Sequence, residues 1–458
     1  MVAYTLTDKP ANILINPEAG ADNPDRKFPD PEFGTGPVGD LERYFAADRV
    51  APEFDNLFAQ TWLMAGRVSD VANPGDWFTF DVGPESILIV RATETELRAY
   101  YNVCQHRGAR LVHGDFGTSK AFTCGFHSWS WNIDGSLRRI TDRETFDEQL
   151  VADNPCLPQV HVEVWGGFVF ISLKDDPMPL EQWLGPVPDL LANYRMEDMV
   201  VVAEATIEWP VNWKVALDAF MEAYHIHRRH PEGLAWIEDY YLQHDFFENG
   251  HSRMILPVGV KSARSASPDE LTQELREMLK EVELDPADFE GRASEVRAAI
   301  QAHKPVWAKS KGMDFARYTD SQLTDDCNYF LFPNLTFNLH AEGTLMMRFR
   351  PHPTDPLMCY YDVTVLAHRV GDPNYRLPRY MGAPDIDLSG EVPRPDRLRL
   401  KHGEGSVSMV LDQDAEFVPY VQEGVRSRGF KAMRLSQQER RMRYFHEEYD
   451  RYMSGEKP

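Results

Sequence analysis

The 458-residue chain is 43% hydrophobic and 12% aromatic, a composition that excludes intrinsic disorder and fibrous structure. At about 150 residues per domain, its length predicts two or three domains. Its 48 basic and 72 acidic residues leave a net charge of -24, which repels phosphate backbones and anionic headgroups, so neither nucleic acid nor a membrane is an expected partner.

No apolar run reaches the ~20 residues of a membrane helix. The opening residues Met1 to Lys9 lack the basic and apolar regions of a secretory signal, and a cytoplasmic location is expected. Five cysteines, odd in number and sparse, fit a reducing compartment in which thiols stay free or ligate metal.

In chain order, residues 1–58 are expected to form an N-terminal arm and helices packed on the catalytic domain. The arm is rich in Pro, Asp, Asn and Gly and reads as irregular. Leu41, Tyr44, Phe45, Val50, Phe54, Leu57, Phe58 and Trp62 then recur at near-helical spacing interrupted by Pro52, which predicts two short helices. In residues 59–174 the apolar runs Trp77–Phe80, Ile87–Val90, Leu97–Tyr101 and Phe168–Ile171 are β-rich and cut by turn residues, predicting a small all-β domain. Residues 175–458 alternate helical stretches with strand-like segments at Met199–Thr206, Ser252–Val258, Tyr329–Leu339, Leu345–Phe349 and Tyr360–Leu366, predicting an α+β domain. Residues 267–304 are charged and helical in character, and a surface insertion or lid is expected there.

The β segment contains Cys104-Gln105-His106 and, seventeen residues later, Cys124-Gly125-Phe126-His127. Two Cys and two His on strand-joining loops make a metal site. Zinc takes such a set tetrahedrally, and a two-iron cluster takes it with both Cys on one iron and both His on the other. The mixture of Cys and His within each pair, the Gly-rich aromatic flanks and the β host favour iron. Cys104, His106, Arg107, Gly108, Ala109, Cys124, His127 and Trp129 together resemble the signature of a Rieske domain. The resemblance implies a [2Fe-2S] cluster with Cys104 and Cys124 on one iron and His106 and His127 on the other, at a potential of roughly -150 to +300 mV. Two positions depart from the pattern: Phe126 stands where Tyr is common and Ser128 where Gly is common. Loss of a Tyr hydroxyl removes a donor able to tune the cluster.

Good helix formers run from Trp213 to Arg229 and stop at Pro231-Glu232-Gly233, predicting one helix over 213–229. Asp218, Glu222 and His225 share a face at i, i+4 and i+7. His225 and His230 lie about 140° apart on an ideal helix, so they grip one ion only where the helix ends or distorts; His227 points elsewhere. A non-haem iron oxygenase site needs two His and one carboxylate. Asp412, Asp414 and Glu416 all offer the carboxylate, and spacing alone does not choose among them.

From about Phe58 to its end the chain resembles the large (alpha) subunit of Rieske non-haem iron oxygenases, the ring-hydroxylating group. The likeness rests on Asn212, Trp213, Lys214, Glu222, Tyr224, His225, His230 and Pro231, on Gln413, Asp414, Val421, Gln422, Gly424 and Ser427, and on Leu435, Ser436, Glu439, Phe445 and His446. It implies an α+β fold in which a small all-β Rieske domain precedes a larger catalytic domain with an antiparallel sheet flanked by helices. It also implies a mononuclear Fe(II) held by His225, His230 and Asp414, and Glu222 as the acid bridging iron site and cluster. Asp218 is expected to be a structural salt-bridge partner.

The same likeness implies a homotrimer or an alpha3beta3 assembly and O2 as co-substrate. No Gly-rich dinucleotide fingerprint is present, so electrons from NAD(P)H are expected through a ferredoxin or reductase partner. The expected activity is hydroxylation of a small apolar aromatic or alicyclic substrate, as in aromatic hydrocarbon catabolism, by mono- or dioxygenation. Phe220, Leu234, Trp236, Phe332, Asn334 and Met347 are candidate pocket residues. The alternative is a monooxygenase cleaving an N- or O-alkyl group, because Glu at the bridging position looks more like the branch acting on quaternary amines than like ring dioxygenases, where Asp is common. An electron carrier or zinc-stabilised binding protein is the reading from another class, and it leaves the His225, His230 and Asp414 set unused.

Overall fold

The computed structural model describes residues 6–7, 23–378, 381–382 and 385–457, so most of the expected N-terminal arm before residue 23 lies outside the described residues. The chain divides into two compact units, one of Val50–Trp183 with Tyr452–Pro458, the other of Met1–Arg49 with Leu184–Arg451.

The first unit is built on a seven-stranded sheet. Its strands run in the order Trp62–Arg67, Phe168–Ser172, Gln159–Trp165, Leu97–Tyr101, Glu85–Arg91, Asp76–Val82 and Phe116–Thr118. A second sheet of Ala121–Thr123, Ser130–Asn132 and Leu137–Arg139 completes it. All four β-rich runs predicted from periodicity are strands of the larger sheet. Trp77, Leu88, Tyr100 and Trp131 pack with Cys104 and Cys124 into one apolar core, so both cysteines are buried on the floor beneath their loops.

The second unit is an eight-stranded sheet in the order Gln243–Phe246, Ser252–Leu256, Asp326–Leu331, Leu335–His340, Gly343–Pro351, Cys359–Ala367, Val200–Trp209 and Leu398–Lys401. Every pair is antiparallel except the last. The predicted segment Tyr329–Leu339 is a hairpin, with Leu331 opposite Leu335. Pro333 has no N–H to give a ladder and falls in the turn, as strand physics requires.

The segment 267–304, expected as a surface insertion or lid, is anchored along one side. Leu275, Leu279, Val296 and Ile300 are buried, and Arg297 forms a buried 2.7 Å ion pair with Asp325. The continuous helix expected over Trp213–Arg229 is broken into Trp213–Asp218 and Ile226–Arg229. Propensity favoured helix throughout, but Phe220 and Met221 close i→i-3 turns, and the Glu222 carboxylate accepts the His225 N–H at 3.0 Å. A side-chain acceptor thus replaces the helical one.

The broken segment packs on one face of the eight-stranded sheet through Phe220. Its ring lies 5.4 Å from that of Phe349 and 5.7 Å from that of Tyr361. Since side chains alternate along a strand, the sheet face turned toward Phe220 also carries Leu345 and Val365, which pair in register beside Asn338.

Candidate metal centres

In the first unit the two ligand loops repeat one backbone design. Cys104 N–H donates to Ala109 O and Gly108 N–H to Cys104 O, at 2.8 and 3.0 Å; Cys124 N–H donates to Trp129 O and Ser128 N–H to Cys124 O, again at 2.8 and 3.0 Å. Gly108 and Ser128 occupy matching left-handed corners, with φ of 77° and 59°. Gly adopts this conformation freely and Ser does not, so the Ser128 departure sits where backbone strain is stored.

Each loop turns backbone N–H groups onto its own sulfur. Burial raises the Cys104 thiol, and the N–H groups of His106 and Arg107 oppose it. At Cys124 burial is outweighed by the N–H groups of Phe126 and His127, and the thiol is lowered. Such nests favour thiolates. The imidazoles of His106 and His127 stand side by side, ring centres 4.7 Å apart. His106 is stacked on Trp129, with its Nδ1 buried and without a hydrogen-bond partner, as a metal-ligating nitrogen must be. Phe126 is 61% exposed and its ring lies against His127, 3.9 Å between centres.

With Cys and His mixed within each loop, the donors Cys104, His106, Cys124 and His127 suit a cluster with two iron atoms, both Cys on one and both His on the other.

In the second unit, the four-residue helix Ile226–Arg229 is flanked by His225 at its N-cap and His230 at its C-cap. That brevity solves the angular problem of two His five apart. Asp414 comes from the first half of the helix Met409–Val425, whose N-cap Ser408 accepts from Leu411 N–H. Its Oδ1 lies 3.0 Å from His230 Nε2 and 3.7 Å from His225 Nε2. Yet His230 Nε2 is buried and makes no hydrogen bond: the atoms converge on a common point rather than on each other.

The outer nitrogens explain which lone pairs face that point. His225 Nδ1 lies 2.7 Å from Glu222 Oε1, and His230 Nδ1 lies 2.5 Å from Gln413 Oε1. Each acceptor fixes the proton on Nδ1 and leaves Nε2 free to ligate, the usual support of a metal-bound imidazole. Burial alone would lower the His225 pKa, but Glu222 and Asp414 overcome it and push it up to about 9; the site attracts positive charge. The donor set therefore fits a two-His, one-carboxylate iron centre.

Glu222, His225 and Asp414 also line a cleft of about 510 Å³ with Tyr44 and Asp218. Asp218 is paired with His446, the structural salt-bridge role expected of it when that ring is protonated. It accepts the Tyr44 hydroxyl at 2.6 Å and faces His446 Nε2 at 3.1 Å, while Arg43 reaches His446 Nδ1 from behind. Asp412 instead accepts Val407 N–H, and Glu416 lies 3.7 Å from Arg229, so both other carboxylate candidates are engaged elsewhere. Of the candidate pocket residues, Phe220 and Met347 lie on the facing surfaces just described, and the Asn334 amide donates to Phe349 O.

Sequence reasoning did not single out Gln413 or Gln422 as individual residues with roles. Gln422 accepts Asn212 N–H at 2.7 Å and donates to Tyr44 O, clamping the Asp414 helix to the start of the helix that carries Asp218. One signal was present: both glutamines fall in the motif that contains Asp414.

Comparison with known proteins agrees with this geometry. Residues 61–158 match the Rieske [2Fe-2S] domain family and residues 196–455 the ring hydroxylating alpha subunit (catalytic domain) family. The carnitine monooxygenase oxygenase subunit of Acinetobacter pittii is 34% identical over 193 residues, covering 41% of this chain and 51% of that protein. The glycine betaine monooxygenase oxygenase subunit of Chromohalobacter salexigens is 33% identical over 190 residues, covering 42% of each. The matched stretch thus spans about half the length of these curated relatives or less. Among solved structures, a quaternary ammonium Rieske monooxygenase shares the fold at a TM-score of 0.65, with 20% identity, over 93% of this chain and 99% of that one. A naphthalene 1,2-dioxygenase does so at 0.62, with 17% identity, over 92% and 93%. With more than half of its length inside the catalytic-domain family and a Rieske domain before it, this chain belongs to the ring-hydroxylating alpha-subunit family of Rieske non-haem iron oxygenases.

Proposed function

We propose that the protein is the terminal oxygenase component of a multicomponent system, and that it removes an alkyl group from nitrogen in a small quaternary amine rather than dihydroxylating an aromatic ring. The convergence of His225 Nε2, His230 Nε2 and Asp414 Oδ1 within 4.8 Å carries the oxygenase reading. The choice of substrate is supported by the carnitine and glycine betaine relatives. His225, His230 and Asp414 would hold a ferrous ion, which when bound would supply dioxygen activation.

The protein's own side chains then have separable tasks. Glu222 and Gln413 hold the two imidazoles in the ligating tautomer. Glu222, at the wall of the cleft, presents a carboxylate to an imidazole N–H of the kind His127 offers, brought by a second copy of the chain in a trimeric ring with or without a small second subunit. Cys104, His106, Cys124 and His127 would hold the cluster, for which a ferredoxin or reductase partner would be the source of electrons from NAD(P)H. The buried aromatic wall of Phe220, Phe349 and Tyr361 keeps bulk water from the sheet side of the triad.

The test supplies iron-loaded protein with a surrogate reductase, NADH and 18O2, and offers glycine betaine, carnitine and indole in parallel. Formaldehyde or trimethylamine release coupled to NADH use supports N-dealkylation. A labelled diol from indole with no reaction on either amine overturns it in favour of ring hydroxylation.

A further inference from the structure

The sheet face turned toward Phe220 carries a concentration of buried polar atoms without hydrogen-bond partners. Asp326 Oδ1 and Asn328 Oδ1 lie on one strand, Thr336 Oγ1 and Asn338 Oδ1 on its neighbour, and His244 Nε2 two strands away. Register sets His244, Met254, Asn328 and Asn338 side by side across four strands. Asp326 and Thr336, each two residues along, point to the same side. Met254 packs with Ala223 and Ile226, which flank His225, so this strip of sheet adjoins the candidate iron site.

Over the strip stands Arg441, from the helix Arg440–Met453. The side chain is fully buried. Its Nε donates to Ser252 Oγ at 3.1 Å, but Nη1 and Nη2 find no acceptor among the described residues. More than nine in ten buried polar groups in folded proteins are paired. Ordinary packing does not collect this many on one face, least of all with a guanidinium among them.

Among the described neighbours Asp326 is the acid that draws on that charge. Burial pulls His244 and His340 down to about 3, keeping both uncharged, and pushes the Asp326 carboxyl up to about 7. Arg441 itself is drawn down to about 9 by burial, against the pull of Asp326. Two adjacent, buried guanidinium nitrogens without a protein acceptor are the donor pair that a carboxylate meets bidentately.

We propose that Arg441 is the anion anchor of the substrate pocket: the substrate carries a carboxylate that pairs with Arg441 Nη1 and Nη2, and Asn328 and Asn338 turn their amide oxygens to its cationic portion. The inference rests on the N-dealkylation reading and narrows it to zwitterionic amines. It names a residue, on a helix outside the iron motifs, that sets specificity.

Calorimetric titration of the iron-loaded full chain with γ-butyrobetaine and with its methyl ester tests the anchor. The acid binds about tenfold more tightly than the ester in the native protein. Arg441→Gln brings the two within about twofold and Arg441→Lys keeps part of the preference; melting curves and cluster absorbance establish that each variant is folded. Equal binding of acid and ester by the native protein, or an undiminished preference in Arg441→Gln, overturns the proposal.

Benzoate against benzamide separates this result from the function itself. If benzoate shows an Arg441-dependent preference while no amine is bound or demethylated, Arg441 is a carboxylate site but both the zwitterionic-amine assignment and N-dealkylation fall. If both proteins demethylate acid and ester alike, N-dealkylation stands and the anchor falls.

Discussion

Gln413 Oε1 lies 2.5 Å from His230 Nδ1, and the next residue in the chain is Asp414. One helical turn thus supplies both a candidate ligand and the group that orients another candidate ligand, while the Gln413 amide donates to Glu232 at 3.1 Å. Replacing Gln413 by Leu frees the His230 ring to take the wrong tautomer. Iron affinity is expected to fall by about 10- to 100-fold, measured by competition with a chelator, with the cluster spectrum unchanged.

Asp414→Ala removes the oxygen on which both imidazoles converge. The purified variant is expected to lose its mononuclear iron and all turnover while retaining the visible absorption of the cluster. Full turnover in this variant would show that another carboxylate completes the site.

Glu222→Gln keeps the size of the side chain and its hydrogen bond to His225 but removes its charge. Both metals are expected to stay bound, and turnover is expected to drop to a few per cent or less. Single-turnover experiments with pre-reduced protein are the check; native rates would remove Glu222 from the electron path.

Ser128 holds φ at 59° at the corner where its twin loop has Gly108. Ser128→Gly is expected to relieve strain and raise stability by about 0.5–1 kcal/mol, read as a higher urea midpoint for the cluster-containing protein. A lower midpoint would mean that the serine hydroxyl contributes more than its backbone costs.

Acid stability follows from three buried histidines. His244 and His340 are pulled down to about 3 and His368 to about 4, in each case chiefly by burial. Below the unfolded value near 6.5, the unfolded chain binds protons that the fold refuses, so stability falls as pH drops from about 6.5 toward 4. Asp326, raised to about 7 chiefly by burial, acts in the opposite direction across the same range, because the fold holds its proton and the unfolded chain does not. Three groups outweigh one, and the urea midpoint is expected to decline steadily over that interval. A flat profile would indicate that these rings take up protons without unfolding.

Much of this was legible in the chain. The cluster loops announce themselves because their ligands lie two and three residues apart, and the strands around them alternate cleanly. The triad was legible only by likeness: nothing local distinguishes Asp414 from Asp412 or Glu416, and the choice is made by which one the fold carries to His230. The break after Asp218 was hidden because every residue from Trp213 to Arg229 tolerates a helix, and the force that ends it is a side-chain carboxylate competing for a backbone N–H. The buried load on the sheet was invisible too, since Asn328, Asn338 and Arg441 come together only through strand register and a helix more than a hundred residues away.

The interruption between Asp218 and Ile226 has a mechanical consequence. A rigid rod would fix His225 and Glu222 to one another and to nothing else, so any misplacement of the rod would travel to both. The break instead frees the Glu222 carboxylate to take both the backbone N–H and the ring Nδ1 of His225. One side chain thereby sets where the chain turns and how the candidate ligand is aimed.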